Sequence, residues 1–321
     1  MLGMMIDGKW TNEQNERNPS GRYNPKPTIF RNKVTADGAS GFPAEAGRYH
    51  LYVALGCPWA HRTLIIREVK GLQQIISVSI VDSIMSDQGW KFSDAPGTVP
   101  DAVNQAQYLS EIYLKADPHY TGRVTVPVLW DKQCHTIVNN ESRDIVRMLN
   151  VEFAALATQP VDLYPCELQV QIDDTIDTIA RTISSGVYRA GFTTSQTVYE
   201  AAVMEVFEGL DRWETVLGQQ QYLCGDRLTE ADIGFFTTLY RFDSVYYSHF
   251  KCNLRRIVDY SNLWNYLKAL YQRPEFKVTC NLDQIKQGYY RSMTEINPSR
   301  IVPKGPMLNF DTLSDVPHRV T

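Results

Sequence analysis

The run Cys57-Pro58-Trp59-Ala60-His61-Arg62 constrains this chain more than any other stretch. A strand-like segment, Arg48 to Leu55, leads into it, with Tyr49, Leu51, Val53 and Leu55 on one face and His50, Tyr52 and Ala54 on the other. A helix-like segment leads out, with Pro58 at its first position, where a missing N–H costs nothing, and Gly71 as its stop. Ala60, Leu64, Ile65 and Val69 supply its apolar stripe. A thiol at that junction sits on a helix N-terminus, where backbone N–H groups and the helix dipole favour an anion. The thiolate is the nucleophilic form. Position 60, where a Cys-x-x-Cys pair carries its second thiol, is alanine. This is a one-thiol site, so a disulfide formed there needs a thiol from elsewhere to resolve it.

The pattern continues as a parallel-sheet unit. Ile75 to Val81 reads as a β-branched strand, parallel to the first because a helix joins the two. Residues 83–107 break the periodicity and read as a loop insertion, followed by a short helix near Ala106 to Lys115. Val124 to Trp130 and His135 to Val138, separated by a short turn, predict an antiparallel hairpin. A proline is excluded from a central strand, so Pro127 calls for a cis Val126–Pro127 bond in a tight bend. Asn139 or Asn140 can cap a last helix ending at Leu149. The order is βαβ, helix, ββα.

Around this unit, residues 1–46 read as an irregular extension anchored by Trp10, Phe30 and Phe42. The βαβ-ββα unit spans 47–152. From 160 to 296 the character becomes helical. Leu168, Ile172, Ile176, Ile179 and Ile183 mark one helix face, and Val198, Ala202, Val206, Leu210, Trp213 and Leu217 another. Thr229-Glu230-Ala231-Asp232 resembles a capping box, and Asn262 to Gln272 gives a further helix ended by Pro274. Residues 297–321 read as an irregular tail.

A length of 321 residues suits about two domains, and 43% apolar residues suit a substantial core. A net charge of −4 gives no reason to expect nucleic acid or an anionic membrane as partner. No apolar run approaches the roughly 20 residues that span a bilayer. The six cysteines are dispersed, in neither a zinc-ligand spacing nor a dense disulfide framework, which points to a reducing cytoplasm. No metal constellation stands out, and the glycine-rich stretches do not follow a strand as a dinucleotide fingerprint must.

A thioredoxin-like unit with a cysteine at its first helix and a proline before its third strand, followed by an all-helical domain, resembles the glutathione transferase superfamily. More narrowly, the chain is similar to the glutathionyl-hydroquinone reductases, the Xi class of those transferases. The carrying runs are GRYHLYVALGCPWAHRTLI (47–65), GRVTVPVLWD (122–131), NESRDIVRM (140–148), GVYRAGF (186–192), RFDSVYYSHFKCN (241–253) and YYRS (289–292), in order along nearly the whole chain.

The resemblance implies a mechanism residue by residue. Cys57 attacks the sulfur of a glutathionyl group on a quinol ring, the hydroquinone leaves, and a second glutathione resolves the mixed disulfide. It implies that the Val126 backbone pairs with the cysteinyl part of glutathione, that Glu141 and Ser142 hold its γ-glutamyl end, and that Trp90 and Arg123 wall the tripeptide. Tyr188, Tyr246 and Tyr289 would line the quinol pocket and assist proton transfer. Glutathione is then the co-substrate, with no metal, and the assembly a homodimer.

Several residues have plainer readings. Glu141 can simply complement a helix dipole, Arg123 can be a solvated turn residue, and any one of 18 tyrosines can be a packing residue. His61 reads as a packing residue and Asp232 as a structural cap. Gly288 and Met293 depart from the family pattern, where histidine or another polar residue is expected. Competing readings of the whole chain are a general deglutathionylase or dehydroascorbate reductase, a conjugating transferase, and a non-catalytic binding module.

Overall fold

The computed structural model describes residues 3–12 and 27–312, so parts of the expected irregular extension and tail lie outside the described residues. The chain divides into two compact units. One joins residues 3–12, 27–161 and Asp283–Ile301; the other takes Asp162–Leu282 and residues 302–312.

The first unit is built on a four-stranded sheet. Its elements are β3 (Tyr49–Val53), α1 (Pro58–Val69), β4 (Ser77–Ile80), α2 (Leu109–Ala116), β6 (Val128–Asp131), β7 (Thr136–Asn139) and α3 (Ser142–Val151). The order is β4-β3-β6-β7, with β3 parallel to β4 and antiparallel to β6. This is the thioredoxin-like arrangement expected from the sequence. Every residue of β3 is buried, so both of its faces are covered rather than one. Part of the cover on the His50–Tyr52 face comes from the 83–107 loop: Tyr52 Oη donates to Asp101 3.0 Å away, and its ring packs edge-on against Phe92. At the start of β3, Arg48 holds the fully buried Asp131 at 2.6 Å, tying β3 to the hairpin turn.

Helix α1 starts at Pro58, as the sequence implies, and Gly71 beyond it adopts φ +65°, a conformation that favours glycine. The Val126–Pro127 bond is cis, and β6 begins only after it, at Val128. The expected strand from Val124 is therefore shortened, and Pro127 stays out of the ladder. The cap of α3 is Glu141 rather than Asn139 or Asn140, because Asn139 Oδ1 instead accepts the Glu141 N–H at 2.7 Å.

The expected irregular extension contains regular structure. Strands β1 (Met4–Ile6) and β2 (Lys9–Thr11) form a hairpin, and β1 pairs with β5 (Gly122–Arg123) to give a second, three-stranded sheet. Three-residue strands carry too short a period to be read from sequence.

The second unit is helical, with α4 (Gln169–Ile179), α5 (Gly186–Phe192), α6 (Gln196–Leu217), α7 (Glu230–Arg241), α8 (Ser261–Gln272) and α9 (Pro274–Lys277). Ala202, Val206, Leu210, Trp213 and Leu217 are buried along α6, as their spacing predicts. A wide helical turn, Ala180–Ser184, joins α4 towards α5. The capping box at Thr229 forms: Asp232 accepts from the Thr229 N–H and hydroxyl, both at 2.8 Å. It also accepts from Leu223 N–H at 2.9 Å and Tyr266 Oη at 2.8 Å, so its role is structural. Helix α10 (Leu282–Ser292) lies almost wholly within the first unit, although the sequence pattern groups it with the helical domain.

His50 makes the first unit sensitive to acid. Its Nδ1 is 2.7 Å from Ser77 Oγ and its Nε2 3.0 Å from Ser79 Oγ, which donates onward to Pro100 O. Burial pushes it down to about 4, opposed by Asp101 and assisted by Lys132 and Arg67. Between the ordinary histidine value and that value, the unfolded chain binds a proton that the native state refuses, so stability falls as pH falls. We expect His50→Asn to flatten the loss of unfolding free energy between roughly pH 7 and 5 by about 2 kcal/mol, read from denaturant titrations at each pH.

Candidate active site

Cys57 is the N-cap of α1, with φ −80° and ψ 122°. Its own N–H donates to Ala54 O and its C=O accepts the His61 N–H, which fixes the turn from strand to helix. The side chain makes no capping bond to the helix, and no carboxylate occupies the first turn to oppose an anion there. The thiol is half-buried, and its Sγ lies 3.6 Å from the carbonyl oxygen of Val126. Sheet register makes this contact: Tyr52 pairs with Val128, so the chain leaving β3 passes the chain entering β6. Beside it, the Arg62 guanidinium stacks 4.3 Å over the Trp59 ring. His61 is buried, in keeping with a packing role.

The cis-proline segment and the start of α3 are joined through one hydroxyl. Tyr113 Oη donates to Thr125 O at 2.8 Å, accepts the Thr125 N–H at 3.2 Å, and accepts from Asn140 Nδ2 at 3.1 Å. Val126 and Glu141 each follow directly on one of these tethered residues. Glu141 Oε1 accepts from Arg143 N–H at 3.3 Å and from Ser142 Oγ at 3.4 Å, while Oε2 accepts from Thr28 Oγ1 at 3.4 Å. These are long bonds, and they leave the carboxylate half-buried at the helix start. Ser142 is buried at the first position of α3.

Trp90 is half-buried in the inserted loop, and its carbonyl accepts the Leu109 N–H at 2.9 Å. Arg123 is half-buried on β5, where Met4 pairs with it, so it is a strand residue rather than a solvated turn residue.

Tyr289 is buried on α10 in the same unit. A Cβ at Gly288 would stand 2.9 Å from the Ser83 carbonyl oxygen, closer than side chains come to backbone. The departure at Gly288 is therefore what lets α10 lie against the 83–97 loop. Ser292 Oγ accepts the Met85 N–H at 2.9 Å and Gln284 donates to Pro96 O, extending that contact. Met293, the other departure, is half-buried and its N–H donates to Tyr289 O at 3.3 Å.

In the second unit, Tyr188 on α5 and Tyr246 have ring centroids 5.9 Å apart, with Phe250 5.3 Å from Tyr188 and 5.5 Å from Tyr246. Tyr246 is fully buried and Tyr188 half-buried. The sequence reading missed Tyr113, whose spacing does not distinguish it from an ordinary packing residue, and gives Asn140 only as a possible helix cap rather than as a donor to Tyr113 Oη.

A cysteine on the first helix of a thioredoxin-like unit, facing a cis-proline segment and followed by a helical unit, defines a glutathione transferase. Family models for the N-terminal and C-terminal domains of glutathione S-transferase match residues 56–152 and 196–269. The glutathionyl-hydroquinone reductase YqjG of Escherichia coli K12 is 50% identical over 318 residues, with 97% of each chain covered. The glutathionyl-hydroquinone reductase PcpF of Sphingobium chlorophenolicum is 46% identical, with 95% of this chain and 96% of the relative covered. A Xi-class transferase structure from Natrialba magadii superposes with a TM-score of 0.93 at 48% identity, covering 98% of this chain and 96% of that one. The glutathione-bound structure of YqjG gives 0.90 at 50% identity, covering 97% and 98%. The chain belongs to the glutathionyl-hydroquinone reductases, the Xi class of the glutathione transferase superfamily.

Among the described residues no group of three or more His, Cys, Asp or Glu could hold a metal ion, and no helix is long and apolar enough to cross a membrane.

The hydroxyl of Tyr113 gives a direct test of the site's scaffold. Tyr113→Phe leaves the half-buried Thr125 backbone and the buried Asn140 amide without that partner. We expect it to lower unfolding free energy by about 1–3 kcal/mol in a denaturant titration.

Proposed function

We propose that the chain reduces glutathionyl-hydroquinones to hydroquinones with glutathione, through a mixed disulfide at Cys57. The observation that carries this reading is the half-buried Cys57 thiol on a helix N-terminus, 3.6 Å from Val126 O, in a chain of this family. The Cys57 thiolate attacks the glutathionyl sulfur and a Cys57–glutathione disulfide forms. The carbon–sulfur bond breaks with its electron pair staying on the ring carbon, which takes a proton and leaves as hydroquinone. A second glutathione, as thiolate, attacks the glutathionyl sulfur of the mixed disulfide. Oxidised glutathione departs and Cys57 returns as thiolate. The ring is reduced by two electrons, and the two glutathione sulfurs are oxidised to a disulfide.

In this reading the Val126 backbone pairs with the cysteinyl portion of glutathione in the manner of an added strand. It lies outside the β3–β6 ladder, which starts at Val128, so the ladder does not consume it. Glu141 meets the γ-glutamyl ammonium, Ser142 and the start of α3 meet its carboxylate, and Trp90 and Arg123 flank the tripeptide. Tyr188, Tyr246 and Tyr289 take the quinol, stacking on the ring and donating to its oxygens. One of them supplies the proton to the ring carbon. The need for reduced glutathione places the reaction in the cytoplasm. The family likeness supports a homodimer.

Mass spectrometry after mixing with glutathionyl-menadiol is expected to find one glutathione adduct, on Cys57, and Cys57→Ala is expected to abolish turnover. Unaltered reduction by Cys57→Ala would sink the mechanism. For the acceptor side, Tyr188→Phe, Tyr246→Phe and Tyr289→Phe are compared on glutathionyl-menadiol and on a glutathionylated peptide. We expect at least one to lose about 10²-fold or more in kcat on the quinol substrate while the peptide rate holds. Equal losses on both substrates would make the tyrosines structural.

A further inference from the structure

The N-terminal hairpin touches the glutathione site's scaffold at two separate places. Strand β1 forms the ladder that carries Arg123, with Met4 opposite Arg123 and Met5 opposite Gly122. Met5 is buried. The hairpin turn reinforces the register, since Gly8 N–H donates to Tyr120 O at 3.1 Å and Asp7 N–H to Thr121 Oγ1 at 2.8 Å. Tyr120 Oη in turn donates to Arg123 O at 2.7 Å, closing a loop of bonds around the backbone of that residue.

The second contact falls on the loop that carries Trp90. Trp10, on β2, lays its ring on Gly89, the residue before Trp90. A Cβ at Gly89 would stand 2.5 Å from Trp10 Cη2, so only glycine admits the ring there. Gly89 also adopts φ +82°, and its N–H and carbonyl both bond to the Ser86 backbone in a tight turn. The Trp10 indole N–H donates to Asp87 O at 2.8 Å, with Asn12 Oδ1 at 3.1 Å as a second acceptor. Behind the ring, Gly3 is packed so close that it too has no room for a side chain. The indole is thus held between Gly3, just before β1, and the 86–89 turn.

A two-stranded hairpin of three-residue strands has little stability alone and takes its order from what it rests on. Here it rests on β5 and on the Trp90 turn, and it bridges them. We propose that Trp10 is a positioning residue for glutathione: through β1 and Gly89 it fixes the spacing between Arg123 and Trp90, the two walls of the tripeptide site. The inference deepens the glutathione reading above and rests on it. Its consequence is specific to binding. A looser wall weakens the hold on glutathione without altering the thiol, the cis-proline segment or the quinol tyrosines.

The test uses the full-length chain. Glutathione affinity is measured by calorimetry on Cys57→Ser, alone and combined with Trp10→Ala or Trp10→Phe. Steady-state kinetics on glutathionyl-menadiol use the same Trp10 changes with Cys57 intact. We expect Trp10→Ala to raise both Kd and KM for glutathione by about five- to tenfold, with kcat at saturating glutathione held within about twofold. Trp10→Phe keeps a ring on Gly89 and loses the indole N–H bonds to Asp87 O and Asn12 Oδ1, so its Kd falls between the two. A lowered melting temperature with unchanged Kd and KM would mean a purely structural role and overturn the proposal. Should Trp10→Ala fail to fold, Trp10→Phe decides alone, and an unchanged Kd overturns it. Failure of the Cys57→Ser parent to bind glutathione at all would overturn the glutathione reading itself, a result distinct from binding that ignores Trp10.

Discussion

Everything at the site depends on the register between β3 and β6. Pairing Tyr52 with Val128 brings the end of one strand beside the start of the other, so Cys57 and Val126 meet across the gap. A slip of one residue would turn every buried side chain of β3 to the opposite face. Both faces of β3 are covered, and the Arg48–Asp131 pair pins its far end, so that slip is strongly opposed. Breaking such a pair leaves an uncompensated buried charge, which costs about 3–5 kcal/mol. The thiol's position is therefore set by packing some distance from the thiol itself.

Much of this was legible in the sequence because it is local. Pro58 after Cys57, Gly71 after Val69 and the Thr229–Asp232 box each announce a helix end through the chemistry of one or two residues. Pro127 announced its own bend by its conflict with a strand. The cap of α3 falls one or two positions later than the sequence suggests, because three successive polar residues, Asn139, Asn140 and Glu141, can each cap. Tertiary bonds chose among them: Asn139 Nδ2 is held by Asn32 O and by Asp144, and Asn140 by Tyr113.

What was not legible is long-range. Strands β1 and β2 exist because β5 offers β1 an edge more than a hundred residues away, and Met5 alternating with Met4 says nothing of that. Likewise α10 follows the helical domain in sequence but lies with the sheet unit. Gly288 and Gly97 show why: each gives up a side chain where α10 and the loop come close, Gly288 against Ser83 and Gly97 against Gln284. Taken alone, the glycine at 288 looked like the loss of a hydrogen-bonding group. In the fold it is a close approach that carries Tyr289 onto the unit holding Cys57.

Alanine at position 60 leaves α1 with no second thiol beside Cys57. Position 60 faces the interior of α1's packing and is fully buried as alanine. Besides Cys57, the first unit contains only Cys134, on the turn between β6 and β7, where the Arg48 guanidinium reaches it at 3.4 Å. That turn lies at the opposite end of β3 from Cys57, the length of the strand and its connection away, on the order of 15–20 Å at about 3.3 Å per residue. A disulfide needs its two Cα atoms within about 7 Å. Cys134 therefore cannot reach a disulfide on Cys57 while the sheet is intact. Within its own unit Cys57 has no second thiol to resolve it, so a mixed disulfide formed there needs a thiol from outside that unit. In the reading proposed for Cys57 that thiol is a second glutathione, so the alanine at position 60 and the proposed tripeptide site answer one need.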